Sequence, residues 1–114
     1  MILDAQEHVT ALRNAAEVLA PEVLALTREV TEIPAPTNDE GERSQFFRQR
    51  ADESGLRVTS DELGDIVARI PGRLSPGTGA KSLLIAAHLD TVFGRDVPLA
   101  VTASGTSLPK TVSR

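Results

Sequence analysis

The stretch from Ser82 to Phe93 reads SLLIAAHLDTVF and sets a histidine, His88, and a carboxylate, Asp90, two residues apart at the end of an apolar run. A neutral imidazole is a good zinc ligand, and a carboxylate beside it either ligates as well or fixes the ring's tautomer through the second nitrogen. At the carboxyl end of a buried strand both side chains emerge where open α/β sheets place their ligand sites. The same pair has a plainer reading, in which His88 bonds to backbone and Asp90 caps a following turn. Asp96 is close enough in sequence to approach the pair. His8 lies far upstream among polar neighbours and reads as a solvated surface residue.

The mount for these residues follows from periodicity. Ile2, Ala5, Val9, Leu12, Ala16 and Leu19 step by three and four, the face of an amphipathic helix that Pro21 is expected to end. Pro21 then suits the first turn of a second helix carrying Val23, Leu26, Val30 and Ile33, so two helices are predicted over roughly 3–33. The prolines of IPAPT, residues 33–37, stop it and give a stiff extended link. Thr37 with Glu40 makes a capping-box pattern, and a third helix is expected to run from there to a left-handed cap at Gly55, with Phe46, Phe47 and Ala51 facing the core. LRVTS, the DELGD turn and the alternation around Ile66, Ala68 and Ile70 predict an antiparallel hairpin. After the loop PGRLSPGTGAK, the run Leu83 to Ala87 predicts a strand covered on both faces. The chain divides into residues 1–94 and an atypical, poorly ordered tail, 95–114, rich in Ser, Thr, Gly and Pro.

Composition narrows the partners. With 40% hydrophobic and 25% charged residues in 114, the chain suits one small domain with an aliphatic core, since its only aromatics are three phenylalanines. Of 16 acidic side chains, 14 lie in the first 70 residues, and no cluster of Lys and Arg with interleaved aromatics points to nucleic acid. The absence of cysteine excludes disulfides and thiolate metal sites. No segment approaches the roughly 20 apolar residues of a membrane span, and no secretory signal is evident, so a cytoplasmic location without a membrane partner is expected.

LTREVTEIPAPTNDEGERSQFFRQRADESGL, the hairpin DELGDIVARIPG and the H-x-D-T strand LLIAAHLDTVF occur in an order that resembles the zinc-dependent exopeptidase and deacylase family. That family includes glutamate carboxypeptidase, acetylornithine deacetylase, succinyl-diaminopimelate desuccinylase and tripeptidase T, and the resemblance covers roughly residues 20–93. It implies an α/β fold with helices packed on a mixed sheet, here as an incomplete zinc-exopeptidase-like catalytic domain. It also implies that His88 is a metal ligand and Asp90 the catalytic partner that orients it. The IPAPT segment and Gly41–Glu42–Arg43 match the family pattern without an assigned catalytic role.

The complete family site holds two ions, zinc or else cobalt or manganese, and acts on peptides or N-acyl amino acids through metal-activated water. Its bridging aspartate, glutamate pair, further acidic ligand and distant histidine find no counterpart here. The expectation is therefore an amino-terminal fragment that binds zinc weakly or not at all, is inactive alone, and self-associates through an exposed strand edge. The alternative is a non-enzymatic α/β interaction domain that keeps the fold.

Overall fold

The computed structural model describes residues 3–74, 77–102 and 110–111. The chain forms two compact units, one built from Met1–Glu32 with Pro98–Arg114 and the other from Ile33–Val97. The part of the predicted tail that falls at 103–109 and 112–114 lies outside the described residues.

In the first unit a single helix, α1, runs Ala5–Glu32 with Pro21 inside it. The predicted break at Pro21 does not occur. Passing through a proline forfeits the bond to the Glu17 carbonyl and costs about 3 kcal/mol. A break would instead require a new helix nucleus, and Ala20, directly before the proline, has no side-chain oxygen to cap it. The helix opens with a reciprocal cap that the sequence reading overlooked: Asp4 Oδ1 accepts the Glu7 amide at 2.8 Å and Glu7 Oε2 accepts the Asp4 amide at 2.9 Å. Near its end, Glu32 Oε1 accepts Arg28 Nε at 3.1 Å and the Val101 amide at 3.2 Å. Those donors, Arg28 first, hold the Glu32 carboxyl below its ordinary value. Val101 lies in β3, Val101–Thr102, which pairs antiparallel with β4, Lys110–Thr111.

The second unit contains helix α2, Gly41–Glu53, packed on the hairpin of β1, Arg57–Ser60, and β2, Ile66–Arg69. The hairpin is antiparallel with Val58 opposite Ala68, as the alternation predicted. Its turn is organised by Asp61, whose Oδ1 accepts the amides of Leu63 and Asp65 at 2.9 and 3.0 Å. Ser44 on α2 donates its hydroxyl to the Gly64 carbonyl at 2.7 Å, fixing the helix to that turn. The expected cap at Gly55 is present: φ is +75°, and the amides of Gly55 and Leu56 bond back to Asp52 and Ala51. Phe46 and Ala51 are half-buried, but Phe47 is exposed, contrary to expectation.

Helices and sheet together make a mixed α/β fold, as expected, but among the described residues no mixed sheet forms, and both sheets there are two-stranded antiparallel pairs. Leu83 to Ala87, expected as a strand covered on both faces, has no strand partner among the described residues, and Leu83, Leu84 and Ile85 are exposed. A strand exists only as half of a hydrogen-bonded ladder, and here β1 and β2 pair with each other alone. Among the described residues parallel pairing occurs at one point, the bridge between Pro36 and Thr91.

The continuous α1 makes a checkable statement. In one helix the amides of Glu22 and Val23 are bonded to the preceding turn, whereas in a helix starting at Pro21 they would be free. Hydrogen exchange should find both amides as slow as those of Leu19 and Leu26, and Pro21→Ala should raise helix content by circular dichroism. Fast exchange confined to Glu22 and Val23 would mean that the helix breaks.

Candidate functional site

The site region is made where two extended segments of the second unit meet. The first is Ile33 to Thr37, whose prolines fix an extended course, so the carbonyls of Ile33 and Ala35, two residues apart, lie along one edge. Pro34 and Pro36 have no amide to offer, and the edge must find its donors elsewhere. Thr91 supplies one, donating its amide to Ala35 O at 2.8 Å. Arg43, in the first turn of α2, supplies another: Nη2 donates to Ile33 O at 2.6 Å and Nη1 to Leu89 O at 2.7 Å. This guanidinium bridges both segments while only 5% exposed. Burial pulls its pKa down, opposed by the negative charge of Asp90.

Thr37 adds the contact that bears on chemistry. Its hydroxyl donates to Asp90 Oδ2 at 2.6 Å. It is not the helix cap that the Thr37 and Glu40 pattern predicted; α2 starts after Glu40, which accepts the Asn38 amide at 2.7 Å. Asn38 takes φ of +68°, a left-handed conformation that asparagine tolerates better than most residues, and the turn it makes delivers Thr37 to Asp90. Asp90 is thereby fixed on one oxygen, while its other, Oδ1, stands 3.5 Å from His88 Nδ1. The His88 side chain is 96% exposed and that of Asp90 29%. At 3.5 Å the pair is in electrostatic contact rather than a hydrogen bond. The Asp90 carboxyl is held below its ordinary value chiefly by the Thr37 hydroxyl and further by the charges of His88 and Arg43.

A second tether flanks the site. Arg95 donates to Asp39 through Nε and to Glu42 Oε1 through Nη1 at 2.9 Å, joining the segment after His88 to the start of α2. The paired carboxylates push the Arg95 pKa up, and Arg95 pulls that of Asp39 down. These groups are exposed, so solvent screens each pair and the tether contributes little to stability.

Both residues singled out from sequence are therefore brought together. Asp96 and His8 are not added to them: among the described residues no group of three or more His, Asp or Glu side chains is arranged to hold a metal ion. A catalytic zinc normally takes three protein ligands plus water, so His88 and Asp90 do not make a complete zinc site. What the arrangement can do is present an imidazole whose Nδ1 faces a fixed carboxylate, leaving Nε2 as the free ring nitrogen. Sequence reasoning missed Arg43, Thr37 and Arg95 as the groups that build this corner. The available signal was the proline-blocked edge at Ile33 and Ala35, which requires outside donors.

No family model matches the chain, and no solved structure matches it. A curated protein of Pyrococcus abyssi, strain GE5/Orsay, named as a LysW-lysine/LysW-ornithine hydrolase, is 30% identical over 78 residues, which is 68% of this chain and 21% of that protein. The chain spans about a fifth of the length of this curated relative. The match loosely supports a place for the chain among hydrolases. Among the described residues no helix is long and apolar enough to cross a membrane.

Two measurements probe the corner. Arg43→Leu leaves the Ile33 and Leu89 carbonyls without their charged donor and should lower the unfolding free energy by about 2–4 kcal/mol in urea titrations; Arg43→Lys, with one compact ammonium, should recover only part. Because folding lowers the Asp90 pKa, the folded state binds fewer protons than the unfolded one. Its stabilising contribution is complete above the ordinary value of 3.8 and disappears as pH falls through the lowered folded value. In carbon-detected NMR titration Thr37→Val should move the Asp90 midpoint upward toward 3.8; an unmoved midpoint would show that the hydroxyl is not its main cause.

Proposed function

We propose that this chain is the amino-terminal part of a metal-dependent exopeptidase or amide hydrolase whose complete form cleaves peptides or N-acyl amino acids, and that the chain alone is without turnover. The observation that carries the reading is Asp90, anchored by Thr37 on one oxygen and facing His88 Nδ1 with the other. A carboxylate so placed orients a histidine for ligation through its remaining nitrogen and raises its basicity. The Pyrococcus relative supports the hydrolase class. In this reading His88 is the metal ligand and Asp90 its positioning partner, with zinc, cobalt or manganese as the ion, and the remaining ligands and the general base come from sequence this chain does not supply. No catalytic step is assigned to the two residues by themselves.

That no third donor joins the pair among the described residues favours a second reading, a non-enzymatic α/β domain that keeps the corner as architecture. Calorimetric titration of zinc into the chain, beside His88→Ala and Asp90→Ala, separates the two. Weak binding that falls further in His88→Ala is expected if the imidazole is a ligand. Binding that is the same in all three proteins would remove the metal reading. Amide hydrolysis that rises with added zinc and vanishes in His88→Ala would overturn the claim that the chain alone is inactive.

A further inference from the structure

Helix α1 contains no buried residue over its 28 positions, about 42 Å of helix, although it is amphipathic. Eight of its apolar positions follow a stricter rule than amphipathicity demands, with Val18 and Leu24 lying off it. Ala5, Val9, Leu12, Ala16, Leu19, Val23, Leu26 and Val30 are separated by alternating steps of four and three, a heptad seam with valine or alanine at a and mostly leucine at d. A period of 3.5 held for eight consecutive positions suits packing against another helix along its length. Pro21 falls at an f position, outermost from the seam, in line with Glu7, Asn14 and Arg28.

The seam is also its own complement. Reversed about its midpoint, Ala5 meets Val30, Val9 meets Leu26, Leu12 meets Val23, and Ala16 meets Leu19, so every a residue faces a d residue and the small alanines oppose larger partners. The flanking positions agree: His8 falls opposite Glu29, Arg13 opposite Ala20, Ala15 opposite Glu22 and Gln6 opposite Thr27, with no like charges in register. A parallel pairing would instead set His8 beside Arg13 and align both helix dipoles. The centre of the seam is open, Leu12 being 72% exposed, while Leu26 and Val30 are half-buried.

We infer that α1 is a self-association surface that pairs antiparallel with α1 of a second copy of this chain, centred on Leu12, Ala16, Leu19 and Val23, as an isologous two-fold contact. This surface is independent of any hydrolase activity.

Sedimentation of the full chain at about 100 μM should show a dimer, a concentration that would populate even a micromolar complex. Leu12→Lys and Leu19→Lys should each weaken it at least ~tenfold, while Val18→Lys, at an 80% exposed apolar position of α1 that lies off the seam, should leave it unchanged. The chain has no cysteine, which allows a direct test of direction. A chain carrying both Leu12→Cys and Val23→Cys should form a covalent dimer on oxidation, and Leu12→Cys alone should not. Efficient cross-linking of Leu12→Cys alone, a monomeric parent chain, or a dimer dissolved by Ile85→Lys but not by Leu19→Lys would each overturn the inference, the last by placing the contact at the unpaired 83–87 segment.

Discussion

The second unit depends on a buried cation doing the work of a missing strand. Ile33 and Leu89 lie 56 residues apart in sequence, and their carbonyls meet on one guanidinium, that of Arg43. Arginine suits this role because its planar fork carries several donors in fixed directions and keeps its charge when solvent is withdrawn. The arrangement has a cost: burial opposes the charged form, and Arg43 Nε is buried without a hydrogen-bond partner. Asp90 offsets part of that cost with its negative charge. The residue that positions the candidate site and the residue that holds the fold at this point are therefore electrically linked, and a change at either is felt at both.

What could be read from sequence divides by the range of the interactions involved. The hairpin was legible because its alternation and its DELGD turn are set within a dozen residues, and the end of α2 was legible because Gly55 must take a positive φ there. Leu83 to Ala87 was misread because a continuous apolar run records only a preference for burial, while the ladder that makes a strand is supplied by other segments. Pro21 was misread for the opposite reason: its local cost was weighed without the cost of restarting a helix behind Ala20. Thr37 shows a third kind of failure. A threonine three residues before a glutamate satisfies the capping-box pattern, yet its hydroxyl is engaged by a carboxylate 53 residues away, and a local pattern has no means of registering a distant competitor.

The candidate site was half legible. His88 and Asp90 were visible as a chemically sensible pair, and the structure sets them 3.5 Å apart. The prolines that flank Ala35 explain why this pair has so firm a base: they remove two amides from the edge and leave carbonyls that draw in Thr91 and Arg43. A stiff segment stripped of its own donors thus recruits the segment carrying the histidine. The same economy limits the chemistry, since the groups recruited are donors and no further metal ligand accompanies them among the described residues.

The apolar residues that remain uncovered carry the argument one step further. Folding must offset roughly 1–2 kcal/mol of backbone entropy per ordered residue, and burial of apolar surface is the main compensation. Among the described residues the buried apolar side chains are Ala35, Leu99 and Val101, while Leu12, Leu19, Val23, Leu83, Leu84 and Ile85 remain exposed. Polar contacts of the Arg43 and Thr37 kind give specificity of arrangement, and those to the buried Arg43 contribute only about 1–3 kcal/mol each. The exposed Leu12, Leu19, Val23, Leu83, Leu84 and Ile85 are therefore surface whose further burial would add stability. In the hydrolase reading that burial would come from additional sequence of the same enzyme. For α1 the strict heptad and its two-fold self-complementarity point to a helix like itself, which would cover Leu12, Leu19 and Val23 along one seam.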